Sequence, residues 1–240
     1  MKKLIIIPVV LALLLAGCSS SNSGELSTWV RLKAALSARF SGGKTAIERA
    51  NAAKAAAKSY KMRIEMRLHP GDPFITEEQV SCPDRQRMSA TLGEKAMYEA
   101  YRIADTSYVK DETNKWVKSP VPLDVYPCGD KPGAAAPWAI LNEGRDMTSA
   151  LAQLVNNTKA NANVSVGELV ASDGGACQQW QVAFGHPGSK KEAGHMGDMR
   201  YTICIDTETH LPRQVVMGSG GIIVTYYDWN KPINIDAPVS

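Results

Sequence analysis

Apolar and charged side chains alternate strictly along residues 60–68, which read YKMRIEMRL. Successive side chains of a β-strand point to opposite faces, so this alternation predicts an antiparallel strand with one buried and one solvated face. Further strands, separated by turn-forming residues, are predicted in two series. The first series comprises Phe74–Ser81, Arg85–Leu92, Lys95–Ile103, 107–110 and 115–118, and the second begins near Val164 and continues with 178–184, 199–205, 213–217 and 222–229.

Helices are predicted at 26–40 and 145–155 from the helical spacing of apolar residues, and at 45–58 from its content of Ala, Glu and Lys. Pro, Gly and Ala dominate residues 120–137, which predicts a long loop, and the glycines of residues 186–197 predict a hairpin loop. Sequential strands interrupted by helices predict an α+β fold built around an antiparallel meander.

The amino terminus carries Lys2 and Lys3, an apolar run over residues 4–15, and then Leu-Ala-Gly-Cys ending at Cys18. This is the layout of a signal peptide, and the apolar run is shorter than the roughly twenty residues that a membrane-spanning helix needs. The tetrapeptide resembles the bacterial lipobox, which implies that residues 1–17 are removed and that Cys18 is lipidated. A plain secretory signal with an incidental cysteine is the alternative. Ser19, in place of an aspartate, favours the periplasmic face of the outer membrane.

The mature chain is then a lipidated tether, residues 18–25, and a single domain, residues 26–240. Removal of the signal leaves 25 basic and 24 acidic side chains, so the formal net charge falls to +1. The mature chain therefore lacks the excess of positive charge that is typical of nucleic-acid-binding proteins. No GxSxG nucleophile motif occurs, and Ser219 lies in a glycine cluster without the strand-to-helix context of that motif. We therefore expect neither nucleic-acid binding nor enzymatic activity.

Four cysteines follow Cys18, namely Cys82, Cys128, Cys177 and Cys204. An even number in an exported protein predicts two disulfides, and four cysteines allow three connectivities. The pairs Cys82–Cys128 and Cys177–Cys204 are favoured because each stays within one half of the chain. No CxxC occurs and the histidines have no ligand-like spacing with the cysteines, so we expect neither a metal nor another cofactor.

Three stretches carry a resemblance to a known family: residues 53–68, the hairpin at 108–117, and the ending at 226–238, YYDWNKPINIDAP. Together with the lipobox, the tether and the order of helices and strands, they resemble the LolA/LolB and LppX/LprG group of envelope lipid-binding proteins. The resemblance implies a strongly curved antiparallel β-sheet, an unclosed half-barrel, covered on its concave side by helices. The four cysteines and the stretch at 120–137 depart from the pattern of the group.

In transport members of this group an acyl chain lies between the concave face and the helices. Methionine is unbranched and adaptable, which suits a cavity for variable chains. The alternative is that the same residues form an ordinary core between sheet and helices. The side chains expected to line the ligand site are Tyr60, Met62, Ile64, Met66, Leu68, Trp180, Val182, Phe184, Tyr201, Ile203, Ile205, Tyr227 and Trp229.

These observations predict a membrane-anchored lipoprotein that binds lipid or lipoprotein acyl chains, as an acceptor in envelope lipid or lipoprotein trafficking. Its expected partners are a lipid or acyl chain and the membrane that holds its anchor. The competing hypothesis is a non-enzymatic sensor or assembly partner that docks another envelope protein.

Overall fold

A computed structural model describes residues 28–32, 42–67, 71–119, 147–156, 162–172, 175–184, 199–218 and 220–238. Residues 28–32 are helical, and the longer elements within the described ranges are two helices and eleven strands. The helices are α1 (Gly43–Ala55) and α2 (Met147–Asn156). The strands are β1 (Ser59–Met66), β2 (Phe74–Ser81), β3 (Arg85–Leu92), β4 (Lys95–Ile103), β5 (Thr106–Lys110), β6 (Trp116–Lys118), β7 (Ala162–Ser172), β8 (Gly175–Phe184), β9 (Met199–Asp206), β10 (Pro212–Met217) and β11 (Ile222–Tyr227).

The strands form one antiparallel sheet in the order β6-β5-β4-β3-β2-β1-β11-β10-β9-β8-β7. Each half is a meander of consecutive strands, and the two halves meet where β1 pairs with β11. The edge strands β6 and β7 are not paired with each other in the described ranges, so the sheet is open, as expected. The sheet is not strongly curled, so the expectation of strong curvature is wrong. The architecture is mostly β, with short helices.

The predicted bounds of β2, β3 and β4 agree with the structure. Helix α1 ends at Ala55, earlier than the predicted residue 58, because contacts with the carboxyl-terminal segment draw the chain into the sheet. The Lys58 amide donates to Asn230 Oδ1 at 2.7 Å, and the Ser59 hydroxyl donates to the Lys231 carbonyl at 2.6 Å. The loops predicted at 120–137 and 186–197 lie outside the described residues.

The two helices pack against each other and make their main contacts with β7, β9 and β10. We call the sheet face that they approach the inner face. At the start of α1, a Cβ on Gly43 would collide with Val164 Cγ1 of β7 and would lie 3.1 Å from Trp180 Cε3 of β8. Glycine therefore lets the helix backbone approach the sheet closely.

The opposite, outer face of β1 carries the charged residues of the alternating stretch, as the pattern predicts. Lys61 pairs with Asp228 at 3.0 Å, and Arg63 pairs with Glu77 at 3.0 Å. Neither helix in the described part of the chain is long and apolar enough to cross a bilayer.

Candidate functional site

The inner face is apolar where the two halves of the sheet meet. Alternate residues of β1 point toward it, and each has an apolar cross-strand partner on β11. These partners are Met62 with Tyr226, Ile64 with Val224, and Met66 with Ile222. All six belong to, or pack against, one hydrophobic cluster that extends from β2 to β8 and includes Ile47 of α1 and Leu151 of α2.

Three aromatic side chains meet at one end of this cluster. The ring centroids of Tyr60 and Trp229 are 5.0 Å apart, and the Trp229 ring stacks on Tyr226 at 5.6 Å. The indole Nε1 of Trp229 donates to the Pro212 carbonyl at 3.1 Å, which fixes the ring. Lys54 of α1 is only 7% exposed, and its ammonium lies 5.6 Å from the centroid of the Tyr60 ring. Such a cation over an aromatic face stabilises both groups.

The structure brings most of the predicted lining residues together. The partly buried members, packed at the margin of the hydrophobic cluster, are Met66, Phe184 and Trp229. The fully buried members are Tyr60, Met62, Ile64, Trp180, Val182, Tyr201, Ile203 and Ile205. Leu68 lies outside the described residues.

Tyr227 was wrongly assigned to this set, since it lies on the outer face opposite Lys61. The Lys61 ammonium is 6.0 Å from the Tyr227 ring centroid. Burial and the nearby carboxylates of Glu77 and Asp228 raise the pKa of Tyr227. Tyr226 occupies the inner face in its place. Trp229 still reaches that face because Asp228 adopts a left-handed backbone conformation, φ 54°, which breaks the alternation.

The inner face also carries a buried polar pair that was not predicted from the sequence. Glu78 of β2 is the cross-strand neighbour of Met62, and Gln86 of β3 is the neighbour of Val80. Their exposed fractions are 2% and 1%, and Gln86 Nε2 donates to Glu78 Oε1. The signal was present in β2, where Glu78 shares the alternation phase of Phe74 and Val80.

One predicted disulfide is present, between Cys177 of β8 and Cys204 of β9, with a Cα–Cα distance of 5.4 Å. Cys82 is disulfide-bonded as well, but Cys128 lies outside the described residues, so that pairing stays a prediction. A disulfide is typical of an oxidising, extracytoplasmic compartment. The described residues contain no group of side chains that could hold a metal ion.

Asp206 organises the turn between β9 and β10. Its Oδ1 accepts from the amides of Glu208 and Thr209 at 3.0 and 2.9 Å, and its Oδ2 accepts from Arg213 Nη2 at 2.7 Å. Burial alone would raise the pKa of Asp206, but these hydrogen bonds and the guanidinium of Arg213 outweigh it and hold the pKa below 3.8. This turn fixes the register of the strands that carry Ile203 and Val215 into the hydrophobic cluster.

A cleft of about 520 Å³ opens where β7, β8 and β9 lie side by side, near Phe184 and Tyr201. Much of its lining comes from the outer-face residues Ser165, Gln181 and Thr202. This polar lining is poorly suited to an acyl chain.

The fold described above is similar to that of a lipoprotein of known structure. The chain is similar to the crystal structure of Mycobacterium tuberculosis lipoprotein LppX, with 15% sequence identity, a TM-score of 0.50, and coverage of 80% of this chain and 97% of that one. The expected resemblance is thus confirmed at the level of the fold. No family model and no curated protein matches the sequence.

A weaker likeness connects the chain to MucB. The crystal structure of MucB matches with 12% identity and a TM-score of 0.42, over 82% of this chain and 60% of that one. The Pseudomonas aeruginosa MucA/MucB complex matches with 12% identity and a TM-score of 0.40, over 77% of this chain and 55% of that one. TM-scores this low carry no weight for fold or function.

Proposed function

We propose that this protein is a non-enzymatic, membrane-anchored envelope lipoprotein that binds a lipid or the acyl chain of a lipoprotein on its inner face. The observation that carries the proposal is the extent of the apolar face. It continues across β1 and β11, while the helices make their main contacts with β7, β9 and β10. A strip of methionine, isoleucine, valine and tyrosine side chains, most of them buried, therefore continues across β1 and β11, beyond the strands with which the helices make their main contacts.

The side chains of this strip suit a ligand of variable shape. Met62 and Met66 are adjacent inner-face positions of β1, and methionine adjusts to irregular apolar partners. Tyr60, Tyr226 and Trp229 offer large apolar surfaces with polar tips, which suits a site where a hydrocarbon chain meets a polar group.

The anchor belongs to the same proposal. Lipidation at Cys18, after removal of residues 1–17, would hold the domain close to the membrane through the tether at 18–25. The short tether favours an acceptor at the periplasmic face of the outer membrane over a carrier that crosses the periplasm. Replacing Cys18 with Ser should release the protein from washed membranes, and retention there would contradict the anchor.

Binding is tested with residues 19–240, produced without the anchor and without detergent. Native mass spectrometry should detect copurified lipid, and a fluorescent acyl-chain probe should bind. Met66→Trp adds bulk at the margin of the inner face and should weaken probe binding at least about tenfold, since it fills space that the chain would use. Ile223→Trp, one strand away on the outer face, is the matched control and should bind as the wild type does.

Absence of both copurified lipid and probe binding would refute the proposal. The docking hypothesis predicts a different result in cells, where photocrosslinkers on the inner face would give a stable protein adduct and no lipid adduct.

A further inference from the structure

We propose that the cleft at β7, β8 and β9 binds a neutral saccharide of one or two rings. This inference goes beyond the proposed function, because the cleft is lined mainly from the outer face, whereas the lipid is proposed to lie on the inner face. The cleft is large enough for such a ligand. Its volume of about 520 Å³ lies within the range of about 300–1,000 Å³ that is usual for small-molecule sites.

Two neighbouring rows of outer-face positions line the cleft, and each row crosses all three strands. The rows are Ser165, Gln181 and Thr202, and Asn163, Ala183 and Arg200. Adjacent positions within a row lie about 4.8 Å apart, and the rows themselves lie about 7 Å apart. The six positions therefore frame an area of about 7 by 10 Å, which matches one or two sugar rings.

Small residues form the floor of the cleft. Ala183 lies between the longer side chains of Asn163 and Arg200 in its row. Gly218 extends the same row beyond Arg200, since its amide donates to the Arg200 carbonyl at 2.8 Å. A Cβ on Gly218 would have no atom within 4 Å, so the space beside it is open. A ligand can thus rest on Ala183 while polar side chains contact it from both sides.

The polar side chains of the cleft match the hydroxyl groups of a sugar. They are two amides, Asn163 and Gln181, and two hydroxyls, Ser165 and Thr202. Amides and hydroxyls both donate and accept hydrogen bonds, as sugar hydroxyls do. Asn163, Ser165 and Gln181 are exposed, so their donors and acceptors are accessible to a ligand. Ala183 supplies apolar surface for the C–H groups of a sugar ring.

Other classes of ligand fit this cleft less well. An acyl chain would bury the amides and hydroxyls without partners, which is unfavourable. An extended peptide binds a sheet through main-chain hydrogen bonds at a strand edge, whereas the cleft lies on a face, where the main chains of β8 and β9 are already paired. Among the residues that the structure describes, no carboxylate lines the cleft, so it offers no ligands for the metal ion of a metal-bound nucleotide.

The test is a titration of isotope-labelled residues 19–240 with maltose, cellobiose, lactose and N,N′-diacetylchitobiose, followed by two-dimensional NMR. We expect at least one disaccharide to bind with a millimolar dissociation constant and to shift the amide signals of residues 163–165, 181–184 and 200–202. Gln181→Ala should weaken this binding about three- to tenfold, the factor that corresponds to one hydrogen bond. Ala183→Leu should abolish binding, because the larger side chain occupies the floor of the cleft.

Gln79→Ala, on the outer face of β2 and four strands from β9, is the matched control and should bind as the wild type does. If none of the disaccharides binds the wild type even at tens of millimolar, the proposal is overturned, and this result depends on no variant. Binding that shifts other residues, or that persists in folded Ala183→Leu, would overturn the placement in the cleft. Saccharide should leave the affinity for the acyl probe unchanged, since the two ligands occupy opposite faces, and competition between them would also overturn the proposal.

Discussion

The disulfide between β8 and β9 allows a stability prediction whose size follows from the structure. Cys177 and Cys204 are 27 residues apart. For a loop of that length, the loop-closure relation gives a contribution of about 3.5 kcal/mol to the free energy of unfolding at 25 °C. This contribution is lost when the unfolded chain is no longer cross-linked. Both cysteines are replaced by alanine, because a single substitution would leave a reactive thiol that could mispair.

The assay is equilibrium urea unfolding of wild type and double variant without reductant. Reductant would also open the bond at Cys82 and mix two effects. We expect the free energy of unfolding to fall by about 3–5 kcal/mol, since the two half-cystines are also buried and their removal loses packing. The m-value should rise, because an unfolded chain without this cross-link exposes more surface.

A loss below about 1 kcal/mol would refute this reasoning, since it would mean that the cross-link barely restricts the unfolded chain. Ser165→Ala with Thr202→Ala serves as the control. It changes two outer-face side chains on β7 and β9, the strands on either side of β8, without changing the covalent connectivity, and it should cost less than about 1 kcal/mol.

Three further predictions concern single side chains. Asp206→Asn should lower the free energy of unfolding by about 1–3 kcal/mol at pH 7, because it weakens the charge-assisted bond to Arg213. The pKa of Asp206 is lowered in the folded state, so the stability that its charge contributes is complete above the ordinary value of 3.8 and is lost as the pH falls through the folded-state pKa. Urea titrations should show that the difference in free energy of unfolding between wild type and variant shrinks in that range. A pH-independent difference would contradict this reasoning. Gly43→Ala should destabilise the protein by about 1–3 kcal/mol although alanine is the better helix former, because its Cβ collides with Val164. Adding Val164→Ala should recover part of this loss, measured by thermal unfolding. A stabilised single variant would count against the close approach of α1 to the sheet. Thr148→Val should raise the free energy of unfolding by up to about 1 kcal/mol, since among the described residues the buried Thr148 hydroxyl has no hydrogen-bond partner; a clear decrease in urea unfolding would argue that it has one.

The sequence predicts the strands of this fold better than it predicts their faces. Alternation between apolar and polar residues is regular in β1, so its inner positions are evident from Met62 and Ile64 alone. In β11 both alternating sets are largely apolar, and the adjacent Tyr226 and Tyr227 give no indication of which one is buried. The register with β1 decides it, and register is a property of the paired strands.

The polar pair was missed for a related reason. A glutamate in a strand is usually solvated, so the pattern FITEEQVS does not predict a buried Glu78, even though Glu78 shares the alternation phase of Phe74 and Val80. Only the sheet shows that Glu78 faces Met62 and Met88, while Glu77 forms an ion pair on the outer face. The end of α1 was misplaced because Asn230 and Lys231, distant in sequence, set where the chain leaves the helix.

The pairing of β1 with β11 has a consequence for the order of folding. Apart from β1 and β11, each strand of the described sheet pairs only with strands next to it in the chain, so each meander can assemble from local contacts. Strand β1 obtains its second partner only from residues 222–227, about 160 positions later. Because such distant pairings form slowly, β1 would remain a half-paired strand until nearly the whole chain is available for folding. Its free edge needs protection from aggregation until β11 has paired with it.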